Sequence, residues 1–272
     1  MSDSNTKNLF TGSIPELYET HLVPLLFEPY AEDLANRVAS RSISRMLELA
    51  AGTGVATRSL ASVLPKQVSI VATDLSQPML HQAEAIGSVR PVEWRQADAM
   101  QLPFPDRMFD AVVCQFGVMF FPDKPKAFSE ARRVLKPGGI FIFSTWDRVE
   151  ENEFANTVAT AIKSLFPSDA PNFIAQTPHG YHDHRAIKRD LADGGFTAAT
   201  QISTVTTRSR ATSPRIPAVA FCQGTPLRNE IEVRDASRLG EATNIAAEAI
   251  AQGFGRGPVD GKMQAHIVTI EN

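Results

Sequence analysis

The sequence predicts an α/β fold: a doubly wound, mostly parallel sheet with helices on both faces. Two observations carry this. From residue 45 onward, short apolar runs alternate regularly with stretches of helical spacing. The runs are almost continuously apolar, as strands covered on both faces must be. A chain of 272 residues, 43% hydrophobic and 21% charged, can bury the single large core such a fold needs.

Residues 1–40 read as helical with breaks. Pro15, Pro24 and Pro29 interrupt a stretch rich in Leu, Tyr and Phe, and apolar positions recur at helical spacing over 30–39. RMLELA (45–50) is strand one, and the helix over 55–64 stops before Pro65. VSIVATD (68–74) is strand two; Ser76 can cap the next helix, which ends at Gly87. Residues 92–97 and FDAVVCQF (109–116) are strands three and four. A helix over 125–135 stops at Lys136-Pro137-Gly138-Gly139, and 139–146 is strand five. A helix over 151–165, a loop with prolines and histidines, and a helix ending at Gly194-Gly195-Phe196 lead to strand six, 201–209. A Pro-rich piece (214–226) and a helix near 234–252 form an insertion before the last strand, MQAHIVTIE (263–271). Right-handed crossovers are expected between the parallel strands.

Composition narrows the function. The net charge is -3 with no basic tract, so nothing supports a nucleic-acid partner. Two cysteines cannot build a disulfide framework, and Cys114 sits in an apolar run as core packing. The opening MSDSNTKNLF is polar and lacks the apolar region of a signal peptide. No window approaches the roughly 18 apolar residues of a membrane helix. These features lead to the expectation of a cytoplasmic protein away from membranes.

The chemistry starts at Glu48-Leu49-Ala50-Ala51-Gly52-Thr53-Gly54. Here a buried strand must turn sharply into a helix. Glycines let backbone lie against a ligand, and the helix start presents free N–H groups. An open α/β sheet places its ligand at this edge. A tight connection without a ligand is the plainer reading. A dinucleotide fingerprint wants a third glycine where Thr57 stands, which weakens a nicotinamide or flavin reading without removing it.

Asp74 ends strand two and can accept hydrogen bonds from both hydroxyls of a ribose; it can also cap the helix ahead of Ser76. Asp98 after strand three can accept from an adenine amino group, with Ala99 and Met100 offering backbone and apolar contacts, or it is a solvated loop acid. Gln115 and Phe116 end strand four beside the first turn, where Phe116 can equally be core.

ELAAGTG, VATDLSQPML, QADAMQLPFPD, FDAVVCQFGVMFFPD and EARRVLKPGG occur in that order over about residues 40–147. The series resembles the class I S-adenosylmethionine-dependent methyltransferases, in particular the ubiquinone/menaquinone type acting on small molecules. Ala50 departs from the glycine many members carry. The resemblance implies a Rossmann-like methyltransferase fold with seven strands, the last antiparallel. It implies that Gly52, Thr53 and Gly54 face the methionine and ribose, and that Asp74 holds the ribose hydroxyls. Leu75 and Met79 would lie beside the adenine, Asp98 and Ala99 would hold it, Gln115 would line the strand-four edge, and Glu48 would organise the turn from behind. The implied cofactor is S-adenosylmethionine, with S-adenosylhomocysteine as product. The implied division is an N-terminal helical lid (1–40), a cofactor-binding core (41–209), a lid or substrate insertion (210–260) and the last core strand (261–272).

The acceptor pocket is expected from residues 10–37, 146–182 and 210–260, whose aromatics include Phe27, Tyr30, Trp146, Phe154, Phe166, Phe173 and Phe221. Ordinary core is the plainer reading for most of them. The expected partner is a small, partly hydrophobic molecule bound by a monomer or homodimer. His179, His182 and His184 form a cluster open to three readings: a zinc site, one histidine in the acceptor pocket, or a polar surface loop. Tyr18 and His21 are comparable candidates. No catalytic base is assigned and no metal is expected. A non-catalytic S-adenosylmethionine-binding protein and an NAD-dependent oxidoreductase are the competing classes.

Overall fold

The computed structural model describes residues 12–272, so the part of the expected N-terminal lid in 1–11 lies outside the described residues. The strands are β1 (Arg45–Glu48), β2 (Ser69–Asp74), β3 (Glu93–Gln96), β4 (Phe109–Gln115), β5 (Leu135–Trp146), β6 (Gln201–Ala211) and β7 (Val259–Glu271). They form one sheet in the order β3-β2-β1-β4-β5-β7-β6. The strands from β1 to β5 pair in parallel, and β7 runs antiparallel to both β5 and β6. The order reverses beside β1, which pairs with β2 on one side and β4 on the other. A ligand crevice opens at such a switch point.

Alternation along β5 shows how both faces are covered. Phe141 and Phe143 pack against Phe128 of the helix α5 (Lys124–Val134). Trp146 is three residues beyond Phe143 and therefore points to the other face. There it meets Tyr30 of α2 (Glu28–Ala39) edge-on at 5.4 Å. Along the central strands Met46, Leu47, Val112 and Val113 are fully buried.

The prolines of the N-terminal segment do not interrupt it. A helical run continues from α1 (Ile14–Leu17) through a π-helical stretch (Tyr18–Phe27) into α2. Pro15 sits in the first turn of the run, where a missing N–H costs nothing, and Pro29 sits in the first turn of α2. Pro24 lies inside the π-helical stretch. Two further helices occupy the Pro-rich part of the insertion, α9 (Arg215–Gln223) and α10 (Leu227–Asp235), with Pro214 and Pro226 at their N-caps. The last helix, α11 (Leu239–Phe254), is the one anticipated near 234–252.

Strand five begins earlier than expected, because Leu135 already pairs with Phe109. The Lys-Pro-Gly-Gly turn survives as an irregularity, with a register shift after Phe109 and Gly138 at φ 74°. Ser76 takes the N-cap position of α4 (Gln77–Ile86), but its hydroxyl makes no capping bond.

Candidate active site

After β1 the chain turns through 49–54 into α3 (Val55–Val63). The turn is pinned from both neighbours: Leu49 N–H donates to the Val113 carbonyl (2.8 Å) and Ala51 N–H to the Thr73 carbonyl (2.9 Å). Gly54 has φ 86°, and a Cβ there would lie 2.8 Å from the Trp94 ring, so only glycine fits. Ala50 has φ 52°, a left-handed conformation that side chains resist. Its methyl is accommodated by Gly117, where a Cβ would overlap it. The alanine at 50 thus depends on the glycine at 117.

Glu48 lies buried behind the turn. Thr57 Oγ1 donates to Glu48 Oε2 at 2.5 Å, and Thr73 Oγ1 donates to the Glu48 carbonyl at 2.8 Å. Burial pushes the carboxyl pKa up to about 8, and the Thr57 bond only partly opposes this. Thr57, standing where a dinucleotide site has its third glycine, spends its hydroxyl on Glu48.

Asp74 closes the turn from the next strand. Its Oδ2 accepts from Gly52 N–H and its Oδ1 from Ser76 N–H, both at 2.8 Å. It therefore braces the turn and the entry to α4 at once. Burial pushes its pKa up and the backbone N–H donors pull it down. Each carboxylate oxygen keeps a further lone pair. Asp98 Oδ1 accepts from Met100 N–H at 2.8 Å. Gln115 Nε2 donates to the Phe27 carbonyl at 3.1 Å, while its Oε1 is buried with no partner.

These groups surround a cleft of about 1180 Å³, counted to its open mouth. Of the residues singled out by sequence, Ala50, Gly52, Asp74, Leu75, Met79, Asp98, Ala99, Met100, Gln115 and Phe116 line it. Glu48, Thr53 and Gly54 do not; Thr53 is fully buried and Gly54 packs against Trp94. Sequence reasoning left out Phe120, Phe121 and Pro122, and it named Tyr18 only as a candidate of the N-terminal segment.

A second, mostly apolar chamber of about 750 Å³ shares Tyr18, Phe116 and Phe120 with the cleft. All three expected segments contribute, and Phe27, Trp146, Phe154, Phe173 and Phe221 line it. Tyr30 and Phe166 do not: Tyr30 is core, with its hydroxyl on the Val205 carbonyl, and Phe166 lies under Arg238. Phe116 has φ 52° and stacks flat on Trp146, 3.9 Å away, forming the partition between the two spaces.

Residues 47–143 match the family model described as a methyltransferase domain. This segment is similar to that family's domain, and the chain spans just under two thirds of the length of the curated relatives it matches. The ubiquinone/menaquinone biosynthesis C-methyltransferase UbiE of Escherichia coli O1:K1 is 31% identical over 164 residues, covering 56% of this chain and 65% of that protein. Among solved structures, YcgJ of Bacillus subtilis has a TM-score of 0.57 at 19% identity, covering 90% of this chain and 98% of that one. A Haemonchus contortus phosphoethanolamine N-methyltransferase, solved with phosphomonomethylethanolamine and S-adenosylhomocysteine, has a TM-score of 0.60 at 17% identity, covering 99% of this chain and 60% of that one. The matched segment thus runs from the end of β1 through β4 into most of β5, with the cleft at the carboxyl ends of these strands. Much of the chamber wall comes from outside it.

The histidine cluster is dispersed. His179 is buried, lines the chamber and bonds the Asp147 carbonyl through Nδ1 at 2.7 Å. His182 Nδ1 meets the His179 carbonyl, and His184 packs edge-on against His266 at 4.4 Å. Asp183 caps α8 (His184–Asp193) through Arg185 N–H. His21 lines neither space. Among the described residues no helix is long and apolar enough to cross a membrane.

Proposed function

We propose that this chain transfers the methyl group of S-adenosylmethionine to a small, partly hydrophobic acceptor held in the chamber. The observation that carries the reading is Asp74 at the cleft, oriented by two backbone N–H groups and with lone pairs to spare. An ordered carboxylate of this kind suits two ribose hydroxyls. Leu75 and Met79 offer the adenine an apolar bed, and Asp98 with Ala99 and Met100 its polar edge. The orphaned Gln115 Oε1 supplies an acceptor that suits the cofactor's ammonium group. The N-terminal helical segment and the 210–260 insertion serve as covers for the two spaces.

The bound cofactor supplies an electrophilic methyl on a sulfonium. The protein's part is alignment. Proximity and orientation can lower such barriers by up to roughly 7–11 kcal/mol. The aromatic walls exclude water from the acceptor, and Phe116 with Trp146 sets the face it lies against. The chamber, with few polar groups, favours a small molecule over a nucleic acid. A cytoplasmic location, supported by two buried free cysteines, and a monomer or homodimer complete the proposal.

Calorimetry with S-adenosylhomocysteine tests this. Wild-type protein should bind it, and Asp74→Ala should weaken binding at least tenfold. No heat at millimolar ligand would remove the reading; unchanged affinity in the variant would remove Asp74 from it.

A further inference from the structure

The wall of the apolar chamber presents an imidazole nitrogen with a defined chemical role. A backbone carbonyl can only accept, so the 2.7 Å contact between His179 Nδ1 and the Asp147 carbonyl fixes the proton on Nδ1. The other ring nitrogen, Nε2, is then a bare acceptor. No hydrogen bond to it is formed among the described residues, and the imidazole lines the chamber 5.9 Å from the Trp146 ring.

Four other polar side chains on the wall are already engaged. Asn152 donates to the Arg148 and Gln264 carbonyls and accepts from Gln264 N–H. Ser209 donates to the Leu25 carbonyl, Thr225 to the Phe221 carbonyl, and Lys262 pairs with Glu151. An acceptor nitrogen left bare in a water-poor pocket costs free energy unless a ligand donor meets it. A site built to bond a donor discriminates strongly against an analogue without one.

We propose that His179 Nε2 receives the hydrogen bond of a hydroxyl on the methyl acceptor, so that the chamber selects hydroxylated aromatic molecules over their apolar or capped analogues. This rests on the methyltransferase reading for what the chamber holds. The ring stays neutral in this role. Burial pushes its pKa down to about 4, against Asp147 and Glu150, which raise it, while His182 adds to the lowering. Tyr18 and Lys262 are the other titratable groups on the chamber wall. The flat Phe116–Trp146 pair gives an aromatic ring a face to stack on, and His179 gives its hydroxyl an end point.

The test uses full-length protein saturated with S-adenosylhomocysteine, titrated with 2-naphthol and with 2-methoxynaphthalene and followed by calorimetry. Wild type should prefer 2-naphthol by at least tenfold. His179→Phe should erase that preference while keeping its affinity for S-adenosylhomocysteine, and His179→Gln, which still offers an acceptor oxygen, should recover part of it. Nitrogen-15 NMR should show His179 as the neutral Nδ1–H form, with its Nε2 resonance moving when 2-naphthol is added. Equal affinity for the two probes in wild type, binding of neither, an unchanged preference in His179→Phe, or an unmoved Nε2 resonance would each overturn the assignment. Failure of wild type to bind S-adenosylhomocysteine would instead remove the methyltransferase reading beneath it.

Discussion

The cleft and the chamber touch along Phe116 but are built in opposite ways. The cleft is made of backbone. Its shape comes from left-handed residues at 50, 52, 54 and 116, and its polarity from N–H groups and short acidic side chains at strand ends. The chamber is made of large side chains brought from segments as far apart as Tyr18 and Met263. Backbone geometry tolerates almost no change in the residues that permit it. A wall of aromatics can be rebuilt one ring at a time. One half is thereby held to a single shape, while the other is free to vary.

The sharpest way to break this contrast is Gly117→Ala. The new methyl would overlap Ala50 Cβ and lie 2.7 Å from Cys114 Sγ, with no flexible side-chain end to move aside. Overpacking of this kind costs about 3 kcal/mol, read as a lower midpoint in chemical denaturation. Adding Ala50→Gly should recover part of the loss, since only the Cys114 contact remains. On the chamber side, Phe173→Ala widens an existing space. Its cost should stay nearer 2 kcal/mol, below the usual range for a closed core, with affinity for S-adenosylhomocysteine within twofold of wild type. A Phe173→Ala loss exceeding that of Gly117→Ala would reverse the comparison.

The same contrast explains what the sequence made legible. Strand runs, the glycine turn, Asp74, Asp98 and Gln115 are local features, since each lies within a few residues of a strand end that periodicity locates. The chamber depends on long-range packing. Nothing near His179 signals that its ring turns inward; that follows from the Asp147 carbonyl, just past the end of β5, which accepts from its Nδ1. Pro24 within the N-terminal segment reads as a break because a helix interior disfavours proline, yet the segment runs on through it as a π-helical stretch. The helices over 215–235 were hidden for a related reason: prolines dominate the stretch, yet Pro214 and Pro226 stand at N-caps. Gly117 lies within the FDAVVCQFGVMFFPD motif, yet its role appears only when Ala50 is placed opposite it.

The acid behind the turn offers a second probe of the rigid half. Glu48 is raised from an ordinary value near 4.5 to about 8 because burial disfavours its charge. A carboxyl with a raised folded pKa contributes stability that is fully present below about pH 4.5 and is lost as pH climbs through about 8. Between pH 6 and 8 the loss from this one group should be on the order of 2 kcal/mol. Glu48→Gln keeps an oxygen for Thr57 and has no proton to lose, so its stability should fall less over that window. Parallel pH profiles for the two proteins would show that Glu48 is already ionised in the fold.

The smallest expected effect lies where the two halves are joined. Arg58 Nη1 donates to the Thr53 carbonyl of the glycine turn at 2.7 Å, and its Nη2 pairs with Glu19 of the N-terminal helix at 2.6 Å. The other Glu19 oxygen is buried without a partner. Both side chains retain some exposure, so the pair itself should be worth about 0.5–1 kcal/mol. The rigid turn therefore holds the helix that carries Tyr18, Phe27 and the near wall of the chamber. A double-mutant cycle of Arg58→Met and Glu19→Gln measures that link. We expect a coupling of about 0.5–1 kcal/mol in stability, together with faster release of S-adenosylhomocysteine in either single variant as the helix lifts more often. Coupling below about 0.3 kcal/mol would lie within the additivity expected of independent sites. The helix would then be held by its apolar face alone, and the cleft and chamber would open independently.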